Sequence, residues 1–144
     1  VFEKYAVGCG GGTNHRFGLY DEVMIKDNHI KSAGSISRAV EKVRDGLGPQ
    51  TKIEVETQNL DEVQEALEKD VDVIMLDNMP IDMIRESVKL IDGRAKVEIS
   101  GCVTLERLDE ISRTGADFVS VGALTHSAPS VDISMNIIAL SRGC

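Results

Sequence analysis

Tryptophan is absent from this 144-residue chain, and aromatic residues of every kind make up only 3% of it. Aliphatic side chains must therefore fill the core, as they do readily between helices and a parallel sheet. Positive charge is also short: 16 Lys and Arg stand against 24 Asp and Glu, a formal net charge of −8. Tracking nucleic acid needs a positive field, so that class of partner is disfavoured. A local basic cluster can still hold an anionic substrate against an acidic background. The three cysteines, Cys9, Cys102 and Cys144, form no C-x-x-C pair and are odd in number. They read as free thiols of a cytoplasmic protein rather than as a disulfide framework. No apolar run approaches the roughly 18 residues of a membrane span, and no basic-then-apolar leader opens the chain. The length suits one domain but not a closed eight-stranded α/β barrel, which takes about 250 residues. The chain starts at Val1, without Met and in mid-element, and so reads as a fragment.

What is present is regular. Five short runs rich in β-branched residues have the length of buried strands: Val23 to Ile25, Lys52 to Val55, Val71 to Leu76, Val97 to Ile99, and Phe118 to Val121. Between them lie stretches of helical periodicity over Ile36–Val43, Leu60–Leu67, Pro80–Ile91 and Leu105–Ser112. Asn59 is placed to cap the helix at Leu60, and Pro80 suits a first helical turn. Asp45-Gly46 and Gly48-Pro49 are expected to break the chain before the second strand. The alternation predicts a parallel α/β domain over residues 1–144. Periodicity does not separate part of a barrel from an open doubly wound sheet.

The residues just past the strands carry the chemistry. Lys26 follows the first strand, Glu54 and Glu56 flank Val55 at the end of the second, and Asp77 follows the third. Ser100-Gly101 and Gly122 follow the last two. In parallel α/β folds the carboxyl ends of the strands form the active-site rim. A single polar residue there would be ordinary solvation; five strands in succession point to a site. The run Gly10-Gly11-Gly12-Thr13-Asn14-His15-Arg16 adds a flexible turn, a titratable ring and a guanidinium able to bind a carboxylate or phosphate in bidentate fashion. With Lys26 and His29 close behind, it suits a substrate with more than one acid group. Glu56 and Asp77, from successive strands, are expected at matching height, where two carboxylates can share Mg²⁺. Small residues at Ser100-Gly101 and Gly122 would let backbone N–H groups approach a phosphate, and His126, four residues on, could donate to it.

Taken together, Glu3-Lys4-Tyr5-Ala6-Val7, the run from Gly10 to Leu19, Ile25-Lys26-Asp27-Asn28-His29-Ile30, Ile53-Glu54-Val55-Glu56, Ile74 to Met79, Ser100-Gly101 and Val121 to Ser127 resemble the barrel domain of the quinolinate phosphoribosyltransferases. The match keeps its order over nearly the whole chain. The resemblance implies part of a TIM-like α/β barrel that transfers phosphoribose from phosphoribosyl pyrophosphate to quinolinate, with loss of CO₂, giving nicotinate mononucleotide. It assigns His15, Arg16 and Lys26 to the quinolinate carboxylates, and Glu56 and Asp77 to Mg²⁺ and the donor's ribose-pyrophosphate. Ser100, Gly101, Gly122 and His126 fall to the donor's 5-phosphate.

Two departures matter. Family members carry a basic segment of the Thr-Arg-Lys-Thr type before the stretch matching Glu3-Lys4-Tyr5, and an N-terminal α/β domain that lends an Arg to the partner's site in a homodimer. Neither is in this sequence, so the chain alone is expected to be poorly stable and inactive. Cys102 stands where Gly or Asn is expected, which would weaken phosphate binding if glycine geometry is needed there. The rival readings are a paralogue acting on another aromatic acid, a phosphate-binding barrel isomerase or aldolase, and a truncated dimerisation module.

Overall fold

All five expected strands form, as β1 Val23–Ile25, β2 Ile53–Thr57, β3 Val73–Asp77, β4 Lys96–Ser100 and β5 Phe118–Val119. They belong to a computed structural model that describes residues 1–138. Cys144 lies outside the described residues; Cys9 and Cys102 are free thiols. The helices are α1 Phe2–Cys9, α2 Asp27–Ala33, α3 Ile36–Leu47, α4 Leu60–Leu67, α5 Ile81–Ile91, α6 Leu105–Ser112 and α7 Ala123–His126. No helix among the described residues is long and apolar enough to cross a membrane.

Asn59 caps α4 as expected, its side chain accepting the Glu62 amide N–H at 2.9 Å. Pro80 sits one step earlier than predicted, at the N-cap of α5 with extended backbone. The break expected at Asp45-Gly46 does not occur. Helix α3 runs through both residues and stops at Gly48, whose φ of 98° ends it, because one exposed glycine weakens a helix without terminating it. Three helices have no counterpart in the sequence reading. α1 and α7 bury no residue, and α2 is one of the short ones with none buried either, so no apolar stripe marks them.

The sheet order settles what periodicity left open. Its strands run β1-β2-β3-β4-β5, every neighbouring pair parallel. A doubly wound sheet reverses direction at a switch point, and this one does not. Right-handed crossovers that always advance the same way put every connecting helix on one face. α3 packs on α4, and α4 on α5, along that face. This is the winding of an α/β barrel, here open, with β1 and β5 as its edges among the described residues.

Alternation along the strands divides the sheet. Ile53 and Val55, Ile74 and Leu76, and Val97 and Ile99 join one aliphatic core with Val40, Val63, Ile84 and Ile91 of the helices. The opposite, inner row contains Met24 paired with Glu54, and Glu56 paired with Met75, which pairs in turn with Glu98. Two aspartates fix the register at the amino ends of the strands. The Asp72 carboxylate accepts the Ile53 N–H and the Asp117 carboxylate accepts the Val97 N–H, each at 2.9 Å.

Candidate active site

At the carboxyl rim, Lys26, Glu56, Asp77 and Ser100 lie at or beside strand ends, whereas Glu54 sits inside β2 and Gly122 lies beyond β5. Lys26 follows β1 and is the N-cap of α2. Asp77 closes β3, paired with Ser100 at the end of β4. Glu56 pairs with Met75 rather than with Asp77. The two carboxylates are therefore one two-residue step apart along the ladder, about 6.6 Å, and not at the matching height expected. They nevertheless sense each other. Glu56 is held above the ordinary carboxylate range, first by partial burial and then by the charge of Asp77, with Lys26 pulling the other way. An oxygen-only pair, half-exposed and facing a lysine, fits a hard cation that keeps most of its own waters.

His29 does not extend the basic cluster. Its Nδ1 accepts the backbone N–H of Lys26 at 3.0 Å, so the ring closes the first turn of α2.

The rim's glycine turn is tight. Gly101 has φ 89°, and a Cβ there would stand 2.3 Å from Asn78 Oδ1 and 2.7 Å from the Asn78 backbone nitrogen. Asn78, itself at φ 54°, donates its backbone N–H to the Ser100 carbonyl at 3.0 Å and its side-chain amide to Asp77 at 2.8 Å. Only glycine lets the β4 turn approach β3 this closely. Cys102 follows at φ 47°, so the left-handed geometry that suits Gly or Asn is indeed in use there. Just past β5, Ser120 donates its backbone N–H to the Ile99 carbonyl at 2.9 Å. The His126 ring lies over Gly122, its Nε2 3.3 Å from where a Cβ would be, and its Nδ1 is 2.7 Å from Ser127 Oγ.

His15 and Arg16 reach the inner face from the loop after α1. Asn14 anchors this segment by donating to the Lys4 carbonyl at 2.9 Å. The Asp21 carboxylate closes the following turn on the Phe17 and Gly18 amides, which hold that carboxyl below its usual range. Arg16 lies along the start of β1, near the Glu22 carbonyl at 3.4 Å and Met24 Sδ at 3.8 Å. Met24 and Lys26 share the inner row, so His15, Arg16 and Lys26 serve the same side of the sheet.

Two residues of this face received no role from the sequence: Glu54, noted only as a neighbour of Glu56 at the end of its strand, and Glu98. Glu54 and Glu98 are each only 4% exposed. His15 Nε2 stands 3.1 Å from Glu54 and 3.7 Å from Glu98, and the Ser120 hydroxyl donates to the other Glu98 oxygen. Burial, then the charge of Glu98, pushes Glu54 up to about 7, against the opposing pull of His15 and Arg16. The available signal was parity: Glu54 is two residues before Glu56, and Glu98 two before Ser100. Beneath His15 the inner face hollows into a concavity of about 660 Å³, bounded also by Lys52, Val73, Lys96 and Phe118.

Residues 1–136 match the family model described as quinolinate phosphoribosyl transferase, C-terminal domain. A Bacillus subtilis protein named "Probable nicotinate-nucleotide pyrophosphorylase (carboxylating)" is 50% identical over 137 residues, 95% of this chain and 47% of that protein. The crystal structure of NadC from Streptococcus pyogenes superposes with a TM-score of 0.86 at 44% identity, covering 94% of this chain and 47% of that one. Thiamine phosphate pyrophosphorylase from Pyrococcus furiosus, at 19% identity and a TM-score of 0.58, shares the fold. The chain spans about half the length of the curated relatives it matches.

Proposed function

The chain belongs to the quinolinate phosphoribosyl transferase family, as its C-terminal domain, and from that premise we propose that it carries the barrel half of an active site making nicotinate mononucleotide. The substrates are quinolinate and phosphoribosyl pyrophosphate, and the setting is a cytoplasmic homodimer in which each site is completed across the subunit boundary. The observation that carries this reading is the Glu56–Asp77 pair at the rim, set between cationic Lys26 on one side and the close-packed Ser100-Gly101 turn on the other.

His15, Arg16 and Lys26 bind and orient the two carboxylates of the acceptor so that its ring nitrogen faces the anomeric carbon. Such positioning converts a bimolecular encounter into an effectively unimolecular one. The backbone at Ser100, Gly101 and Gly122, with His126 above it, holds the donor's 5-phosphate. Glu56 and Asp77 would hold Mg²⁺ and orient the ribose-pyrophosphate. When bound, that ion neutralises charge on the departing pyrophosphate. As the C1–oxygen bond lengthens and the sugar gains oxocarbenium character, the same two carboxylates stabilise the positive charge. The new bond leaves a cationic ring nitrogen, which draws the electrons of the adjacent C2–carboxylate bond; CO₂ departs and a proton takes its place. Lys26, beside that carboxylate, acts by binding it.

The test is quinolinate-dependent formation of nicotinate mononucleotide by the full-length gene product with phosphoribosyl pyrophosphate and Mg²⁺. Asp77→Asn should lower turnover about 100-fold or more. Lys26→Ala should raise the quinolinate KM. Turnover of a different aromatic acid in preference to quinolinate would overturn the substrate assignment.

A further inference from the structure

The inner-face cluster of His15, Glu54 and Glu98 has no part in the chemistry above beyond the outward edge of the His15 ring. We propose that these three side chains form a site for one divalent transition-metal ion of the Mn²⁺ or Zn²⁺ kind, separate from the Glu56–Asp77 pair.

Geometry supports this first. One ligand atom from each residue can be chosen so that all lie within 4.8 Å of one another. Two ligands each about 2.1 Å from an ion stand about 3.0 Å apart at a right angle and about 3.4 Å apart at the tetrahedral angle. The His15 Nε2 distances of 3.1 Å to Glu54 and 3.7 Å to Glu98 bracket the tetrahedral value. Each ligand comes from a different element: a loop, β2 and β4.

The second observation is independent of that spacing. Glu54 is only 4% exposed, and its Oε1 has no hydrogen-bond partner among the described residues. A buried carboxylate oxygen left unpaired is costly, and here it stands beside a second buried carboxylate. Apart from His15, Arg16 is the cation whose charge reaches Glu54, yet its guanidinium is directed to the Glu22 carbonyl and Met24 Sδ. A bound dication would neutralise both carboxylates and give Oε1 a partner. Glu98 already has the supporting contact typical of a metal carboxylate, since its remaining oxygen accepts from Ser120.

The ligand set chooses the ion. An imidazole nitrogen with two carboxylates suits Mn²⁺ or Zn²⁺, whereas an all-oxygen set suits Mg²⁺. His15 would bind through Nε2, leaving its Nδ1–H to donate to a substrate acid group. The concavity beneath His15 offers entry from solvent.

The experiment is a Mn²⁺ titration of the metal-stripped full-length gene product followed by electron paramagnetic resonance, in an Asp77→Asn background that removes the rim pair. One ion should bind per chain, and electron spin-echo modulation should show a coordinated imidazole nitrogen. That signal is read with all three proposed ligands intact. Glu98→Gln should weaken binding by more than the roughly 10–100-fold that a supporting group alone is worth, and His15→Asn should abolish the nitrogen signal. Absence of a bound ion, or a bound ion without nitrogen modulation, would overturn the site. Neither result bears on quinolinate turnover, so this site and the proposed reaction stand or fall separately.

Discussion

At the scale of single residues, a position just past an apolar run is legible in the sequence and a position inside one is not. Asp77 and Ser100 end their strands and Lys26 directly follows its own, so their place on the rim could be read directly. Glu54 and Glu98 sit within strands, and His15 approaches them from 39 and 83 positions away in a loop without periodicity. Only a known sheet register joins them. Their meeting makes stability depend on pH. With a chelator present, the folded chain holds the Glu54 proton up to about pH 7, while the unfolded chain releases it near 4.5. Between those values the native state binds more protons, so stability falls as pH rises, by about 3 kcal/mol over the window. Glu54→Gln should flatten this slope and be the more stable protein at alkaline pH. Urea unfolding at either end of the window checks it; an unchanged slope would show that Glu54 is not the group responsible.

Among the elements, α4 and α6 match the periodic segments residue for residue, α4 because the Asn59 cap and the apolar stripe agree at its start, α6 on its stripe alone, since Thr104 makes no side-chain cap. α1 and α7 escaped notice for the converse reason, since they bury nothing. The link from β4 to α6 carries a further consequence. Cys102 adopts φ 47° directly after Gly101 at 89°, and a side chain in the left-handed region costs about 1–2 kcal/mol. Cys102→Gly should therefore stabilise the chain by about 1 kcal/mol, less than the full strain because glycine loses more freedom on folding. Cys102→Ala should give no gain, because it keeps the Cβ. Denaturant midpoints of the two variants distinguish relief of backbone strain from loss of the thiol.

For the whole molecule, periodicity alone left barrel-like and doubly wound readings equal, since both produce the same alternation of elements; the family resemblance pointed to the barrel, and the strand order agrees with it. The open order leaves two sheet edges, and the β5 edge presents Phe118 at 48% and Val119 at 38% exposure. An apolar edge strand is a template for pairing with another chain. The isolated chain should associate as its concentration rises, and Phe118→Lys should suppress this in sedimentation velocity. Association undiminished by the lysine would locate the contact elsewhere.

The strict alternation along β2 has an evolutionary corollary. One residue inserted between Ile53 and Glu54, with Ile53 kept in its pairing to β1, would turn Glu54 and Glu56 into the aliphatic layer and push Val55 onto the inner face. Core and chemistry would be lost in a single event. Strands of this kind can drift in composition but are locked in length, and insertions or deletions are confined to the connections, such as the turn from Gly48 to Lys52, where a change of length leaves the parity of every strand intact.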